Sequence, residues 1–168
     1  MQDVPTPGRN VKKKVLIVDD HPTIRFLLGS LVETDQFMVC GKLADGKEAI
    51  DKAPDLNPDL ILLDYAMPRL NGAETAPVLK RLMPTVPVIL FTLHDGSVNE
   101  TLMAAMRVDR VISKTDGMTK LLECMRELVG LPPARTDTVG PLQLPIDPMP
   151  ETNALPKSTA TPEEKPPE

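Results

Sequence analysis

Five side chains carry the chemistry of this sequence, and each sits just after a short apolar run. Asp19 and Asp20 follow Val15-Leu-Ile-Val18, and Asp64 follows Leu60-Ile-Leu-Leu63. Thr92 follows Val86-Pro-Val-Ile-Leu-Phe91, and Lys114 follows Val108-Asp-Arg-Val-Ile112 after the single residue Ser113. Each has an ordinary reading by itself. Asp20, ahead of His21-Pro22, suits a helix N-cap; Asp64 suits a turn, Thr92 a strand end and Lys114 the surface. Together they make a costly set, because three carboxylates brought to one place repel each other and raise each other's pKa unless a cation intervenes. A hard, oxygen-seeking ion such as Mg²⁺ fits, since it takes a few carboxylate or carbonyl ligands and keeps several waters. A divalent cation, a lysine, a hydroxyl and a free carboxylate oxygen suit a phosphoryl group, whose transfer is mainly positioning and charge neutralisation. The nucleophile would be the carboxylate.

Those residues meet only if the apolar runs are neighbouring strands. Between Val11 and Gly130 the chain alternates β-rich runs with amphipathic helical patterns, the rhythm of parallel β/α units. The runs ending at Val18, Leu63 and Phe91 are almost unbroken in apolar character, as in strands covered on both faces, while Phe37-Met-Val-Cys40 and Val108–Ile112 are weaker. Ile24, Leu27, Leu28, Leu31 and Val32 follow a 3.6-residue period. So do Val98, Leu102, Ala105 and Met106, and then Met118, Leu121, Leu122, Met125, Leu128 and Val129. A short second helix is predicted over Gly46 to Ala53, and the regular part of the third after Pro77. Five β/α units result. In an open parallel sheet, ligands bind beyond the carboxyl ends of the strands, where all five residues lie.

Composition narrows the function. With 168 residues, one domain with tails is the default. A net charge of −5, from 19 Lys+Arg against 24 Asp+Glu, is not the footprint of a phosphate-backbone binder. No apolar run nears the roughly 18 residues of a membrane span, and no signal-peptide core follows the basic start, so a cytoplasmic protein with no membrane association is expected. Cys40 and Cys124 are too few for a disulfide framework or a cysteine-rich metal site and read as buried thiols. Residues 1–10 are expected to be a flexible N-terminus and 11–130 the folded domain. Residues 131–168 hold ten of the 19 prolines, no aromatic residue, and three basic against six acidic side chains. That is the composition of a disordered proline-rich tail, in which the PxxP spacing of Pro145 and Pro148 arises easily.

The segments KKKVLIVDDHPTIRFLL, PDLILLDYAMPRLNGAE, VPVILFTLHD and RVISKTD resemble, in order, the receiver domain of bacterial two-component response regulators. Asp-Asp-His-Pro and Met-Pro-x-x-Asn-Gly are similar to the LuxR/NarL-type subfamily, which usually adds a helix-turn-helix domain. The resemblance covers about residues 11–130 and implies a flavodoxin-like, doubly wound five-stranded parallel sheet of order 2-1-3-4-5. It implies Asp64 as phosphoacceptor from a sensor histidine kinase or phosphotransfer protein. It makes Asp20, Asp64 and the Ala66 backbone carbonyl the Mg²⁺ ligands, with Asp19 acting through water. Thr92 and Lys114 become the hydroxyl and ammonium that meet the phosphoryl group, while Pro68 and Gly72 shape the loop after Asp64.

The chain departs from the family pattern at Val111, where a switch Tyr or Phe is usual, and at Arg107-Val108, where Gly-Ala is usual. His21 and His94 flank the cluster and are expected to face solvent or the outer shell rather than to ligate. No helix-turn-helix pattern follows the fifth helix, so a stand-alone receiver is expected, acting on an unidentified downstream protein without direct nucleic-acid binding. The alternative is a receiver-like interaction module that works without phosphorylation. A Mg²⁺-dependent aspartyl phosphatase is a third reading, but its Asp-x-Asp motif is missing because Tyr65-Ala66 follows Asp64. The chain is thus expected not to be an enzyme beyond its own phosphorylation and dephosphorylation.

Overall fold

A computed structural model of the protein describes residues 11–34, 36–93 and 100–132. The chain divides into two units, 1–134 and 135–168, and every described residue belongs to the first. The elements are β1 (Lys13–Val18), α1 (Pro22–Val32), β2 (Phe37–Leu43), α2 (Gly46–Leu56), β3 (Leu60–Leu63), α3 (Gly72–Leu82), β4 (Val88–Thr92), α4 (Glu100–Met106), β5 (Arg110–Ser113) and α5 (Met118–Leu128). The strands form one parallel sheet of order β2-β1-β3-β4-β5. This is the doubly wound order expected from the sequence.

The sheet is covered on both faces, and strand alternation divides its side chains between two cores. Val15 and Ile17 of β1, Leu60 and Leu62 of β3 and Ile89 and Phe91 of β4 point to the side covered by α1 and α5. Leu16 and Val18, Ile61 and Leu63, and Val88 and Leu90 point to the side covered by α2, α3 and α4. Every residue of β3 and β4 is buried, which is why their sequences lack polar alternation. Cys40 is skipped in the register between β1 and β2, where Val15 pairs with Val39 and Leu16 with Gly41. Cys40 is only half-buried, whereas Cys124 is buried in the first core as expected. Burial pushes both thiols above the usual cysteine value.

The helices depart from expectation where proline was read as a boundary. α3 begins at Gly72, so Pro77 lies inside it rather than ahead of its regular part. Its start is fixed by a capping box: the Asn71 side chain accepts from the Glu74 N–H, and the Glu74 carboxylate accepts from the Asn71 N–H. Gly72, Thr75, Ala76 and Leu79 are buried, and this packing outweighs the one hydrogen bond that Pro77 cannot donate. α2 likewise runs past Ala53, through Pro54 to Leu56, and ends on Asn57 at φ 47°. On α1 the buried stripe is Leu28, Gly29 and Val32, with Ile24 packed against the core. Leu27 and Leu31, expected on that stripe, are 48 % and 45 % exposed, because the sheet covers only one side of the helix. All six periodic residues of α5 pack on the first core. On α4, Met106 is buried and Ala105 exposed; Val98 and the Leu102 side chain lie outside the described residues.

β4 starts at Val88, two residues later than the apolar run, since Pro87 has no N–H for the ladder and only its carbonyl takes part, accepting from Ile61. β2 continues to Leu43, beyond Cys40, and β5 occupies Arg110–Ser113. α5 closes in a Schellman motif. The N–H of Leu131 donates to Arg126 O at 2.9 Å, that of Gly130 donates to Glu127 O at 3.2 Å, and Gly130 has φ 68°. Leu131 packs back on the first core. No helix among the described residues is long and apolar enough to cross a membrane. The N-terminal segment and nearly all of the proline-rich segment lie outside the described residues.

Candidate functional site

The backbone of the sheet continues one residue past the strands and delivers the functional side chains in register. The N–H of Asp64 donates to Val18 O at 2.8 Å and that of Asp19 to Leu43 O at 3.1 Å. The N–H of Lys114 donates to Thr92 O at 2.8 Å. Adjacent parallel strands therefore end level, and Asp19, Asp64, Thr92 and Lys114 share one rim.

Lys114 ties the cluster together. Its ammonium donates to Asp19 Oδ2 at 2.7 Å and lies 3.0 Å from Asp64 Oδ1. All three side chains are largely buried, with 12 %, 2 % and 7 % of their surfaces exposed. Burial alone would lower the lysine pKa, but the hydrogen bonds to Asp19 and Asp64 outweigh it and hold the ammonium above its usual value. For Asp64 the balance tips the other way. Burial, aided by the charge of Asp19, raises its pKa despite the hydrogen bond from Lys114. The ammonium also stands 5.9 Å from the centre of the Phe91 ring.

Asp20 completes the acidic group. Carboxylate oxygens of Asp19, Asp20 and Asp64 lie within 4.8 Å of one another, with Asp20 exposed at the mouth. Three carboxylates against one ammonium leave two negative charges, the complement of a divalent cation, and all the acidic donors are hard oxygens. Asp20 does not cap α1. The N-cap position belongs to His21, and Asp19 Oδ1 accepts from the His21 N–H at 2.9 Å, turning the chain into the helix. The cleft, about 530 Å³, is lined by Asp19, Asp20, His21, Ile24, Asp64, Ala66, Leu93 and Lys114. Thr92 is fully buried at the end of β4. His94 lies outside the described residues.

The sequence reading missed four participants. Arg25, one turn into α1, donates through Nη1 to the Asp19 carbonyl, a contact its helical phase beside Asp19 could have suggested. Ile24 and the exposed Leu93 give the cleft apolar walls, and only tertiary packing places them there. Arg69, in the loop after Asp64, has φ 69° and pairs with Asp45 at the start of α2.

A five-stranded sheet of this order with an acidic cleft at its carboxyl edge defines a doubly wound, flavodoxin-like α/β protein, and comparison with known proteins makes the class specific. The family model described as response regulator receiver domain matches residues 15–126, and the chain belongs to that family. It is 38% identical over 117 residues to the response regulator protein VraR of Staphylococcus aureus, an alignment covering 68% of this chain and 55% of VraR. The chain thus spans about half the length of the curated relatives it matches. Among solved structures it is similar to the response regulator domain of Thermotoga maritima CheB, with TM-score 0.63, 30% identity, and coverage of 73% of this chain and 99% of that one. It is also similar to Thermotoga maritima response regulator protein TrrA in complex with Mg²⁺-BeF, with TM-score 0.63, 28% identity, and coverage of 69% and 98%.

Proposed function

We propose that this receiver takes a phosphoryl group on Asp64 in a Mg²⁺-dependent transfer from a sensor histidine kinase or phosphotransfer protein, and that the modification switches contacts with a downstream protein. The observation that carries this reading is the bridging of Asp19 and Asp64 by one buried ammonium, with Asp20 completing the oxygen cluster. Asp20, Asp64 and the backbone carbonyl of Ala66 would hold the cation, with Asp19 acting through water. The bound ion would neutralise charge on the phosphoryl oxygens.

The chain's own groups account for the rest of the step. The free Asp64 carboxylate oxygen forms the new O–P bond as the P–N bond of the donor phosphohistidine breaks, and the imidazole nitrogen keeps the bonding electron pair. Lys114, held by Asp19, stays in place to pair with the added charge, and the Thr92 hydroxyl donates to a phosphoryl oxygen. Phosphorylation adds charge and strong acceptors at a site whose wall includes the segment after β4, so the expected output is a shift of that segment and the adjacent α4–β5 surface. Val111, half-buried against the second core, stands where an aromatic switch residue would act, so the shift is routed without an aromatic relay. The receiver would act in the cytoplasm, and its net charge of −5 fits protein rather than nucleic-acid contacts.

Intact-protein mass spectrometry with acetyl phosphate tests the chemistry. A single phosphoryl adduct should form with Mg²⁺ and disappear with EDTA or with Asp64→Asn. An unmodified mass with acetyl phosphate and with candidate kinases, in a protein shown folded by circular dichroism, would favour the phosphorylation-independent module instead.

A further inference from the structure

The loop from β3 to α3 contains an unusual residue. The N–H of Leu70 donates to Pro68 O at 2.8 Å, closing a three-residue turn around Arg69, whose φ is 69°. A bulky residue adopts this left-handed conformation only at a cost, so surrounding contacts must hold it there. The turn also has little room: the Gly72 N–H donates to Tyr65 O at 2.9 Å, and a Cβ on Gly46 would lie 2.7 Å from the Leu70 carbonyl oxygen. The side chain of Arg69 reaches across to α2, where its guanidinium pairs with Asp45 Oδ2. Asp45 is only 8% exposed, and its other oxygen accepts from the Glu48 N–H at 2.9 Å as the α2 N-cap.

We infer that the Arg69–Asp45 pair is a positioning device: it ties the turn after Asp64 to the start of α2, fixes where the Ala66 carbonyl points, and so sets the cation affinity of the acidic cleft. The inference rests on the proposed metal role of that cleft. Neither Arg69 nor Asp45 lines it, so both act through the backbone between Asp64 and Leu70. The hydrogen bond from Glu48, and after it the charge of Arg69, hold the Asp45 carboxyl below the usual value despite its burial. Its acceptor is therefore ionised across the working range.

The sign of one substitution separates this device from simple electrostatics. Arg69→Gln removes a positive charge near a cation site, which by Coulomb's law alone would tighten Mg²⁺; loss of the tie would loosen it. Asp45→Asn keeps the capping oxygen and drops the charge, so the helix start survives while the tie is lost. Calorimetric titration with Mg²⁺ should show each single variant binding about threefold more weakly than the parent, the scale of an ion pair whose arginine is open to solvent. The double variant should bind no more weakly than either single one, since both remove the same link. Arg69→Lys should retain most of the affinity, and amide exchange at residues 65–70 should quicken only in the weakened variants. Unchanged or tighter binding in Arg69→Gln, or losses that add in the double variant, would overturn the inference while leaving the metal reading intact. A parent that binds no Mg²⁺ would instead overturn the metal reading and this inference with it. Urea midpoints of each variant confirm that folded proteins are compared.

Discussion

At the residue scale, the cleft works against the stability of its own fold. Asp64 is buried beside Asp19, and its pKa is raised on folding, so the folded protein holds the Asp64 proton more tightly than the unfolded chain does. Stability linked to that proton is fully present below the ordinary carboxylate value of 3.8 and is lost as pH rises through the raised value. Asp64→Asn cannot ionise and keeps that stability. In EDTA, urea unfolding should find the Asn variant more stable than the parent at neutral pH, with the gap closing as the pH falls into the ordinary carboxylate range. A gap independent of pH would show that Lys114 fully offsets the burial of the carboxylate. A site that costs stability when empty of cation is the expected signature of groups assembled for binding rather than for packing.

At the element scale, α3 and the end of β3 are locked by a close approach. A Cβ on Gly72 would lie 2.5 Å from the Asp64 carbonyl oxygen and 2.9 Å from Tyr65 Cα, both backbone atoms that no rotamer change can move aside. Gly72→Ala should therefore cost about 2 kcal/mol in urea unfolding, within the range for overpacking a core. Because the displaced backbone is that of Asp64 itself, the phosphoryl adduct should form more slowly as well. The capping box of Asn71 and Glu74 shows how the same helix start is set from the other direction, by side chains that satisfy the first free N–H groups. Pro77 then sits one and a half turns inside a helix whose beginning was already decided.

At the scale of the whole molecule, the receiver's packing reaches as far as Leu131, the first residue of the segment read as a proline-rich tail. The Schellman motif at Gly130 ends α5, and Leu131 packs back on the first core. Shortening the chain to residues 1–132 should leave the urea midpoint and the Mg²⁺-dependent adduct unchanged, whereas removal of Leu131 as well should lower the unfolding free energy by about 1 kcal/mol, the worth of a partly buried leucine. A drop on the first truncation would mean that the segment beyond Pro132 contributes to the fold.

The strand order was legible only through the resemblance to receiver domains, but the two-sided core and the placing of Asp19, Asp20, Asp64, Thr92 and Lys114 at one rim were legible in the residues themselves. They depend on period, run length and strand ends, which are local properties of the chain. The limits of α2 and α3 were not, because a proline costs one hydrogen bond locally while the packing that outweighs it lies on other elements. The exposure of Leu27 and Leu31 was hidden for a similar reason: a 3.6-residue period marks an apolar stripe but not how much of its width the sheet will cover. Lys114 bridging Asp19 and Asp64, and Arg69 reaching Asp45, join residues far apart in the chain, and only the tertiary structure decided them. Spacing along a chain brings such groups to the same edge, but their pairing depends on the register between strands and the turn of each loop.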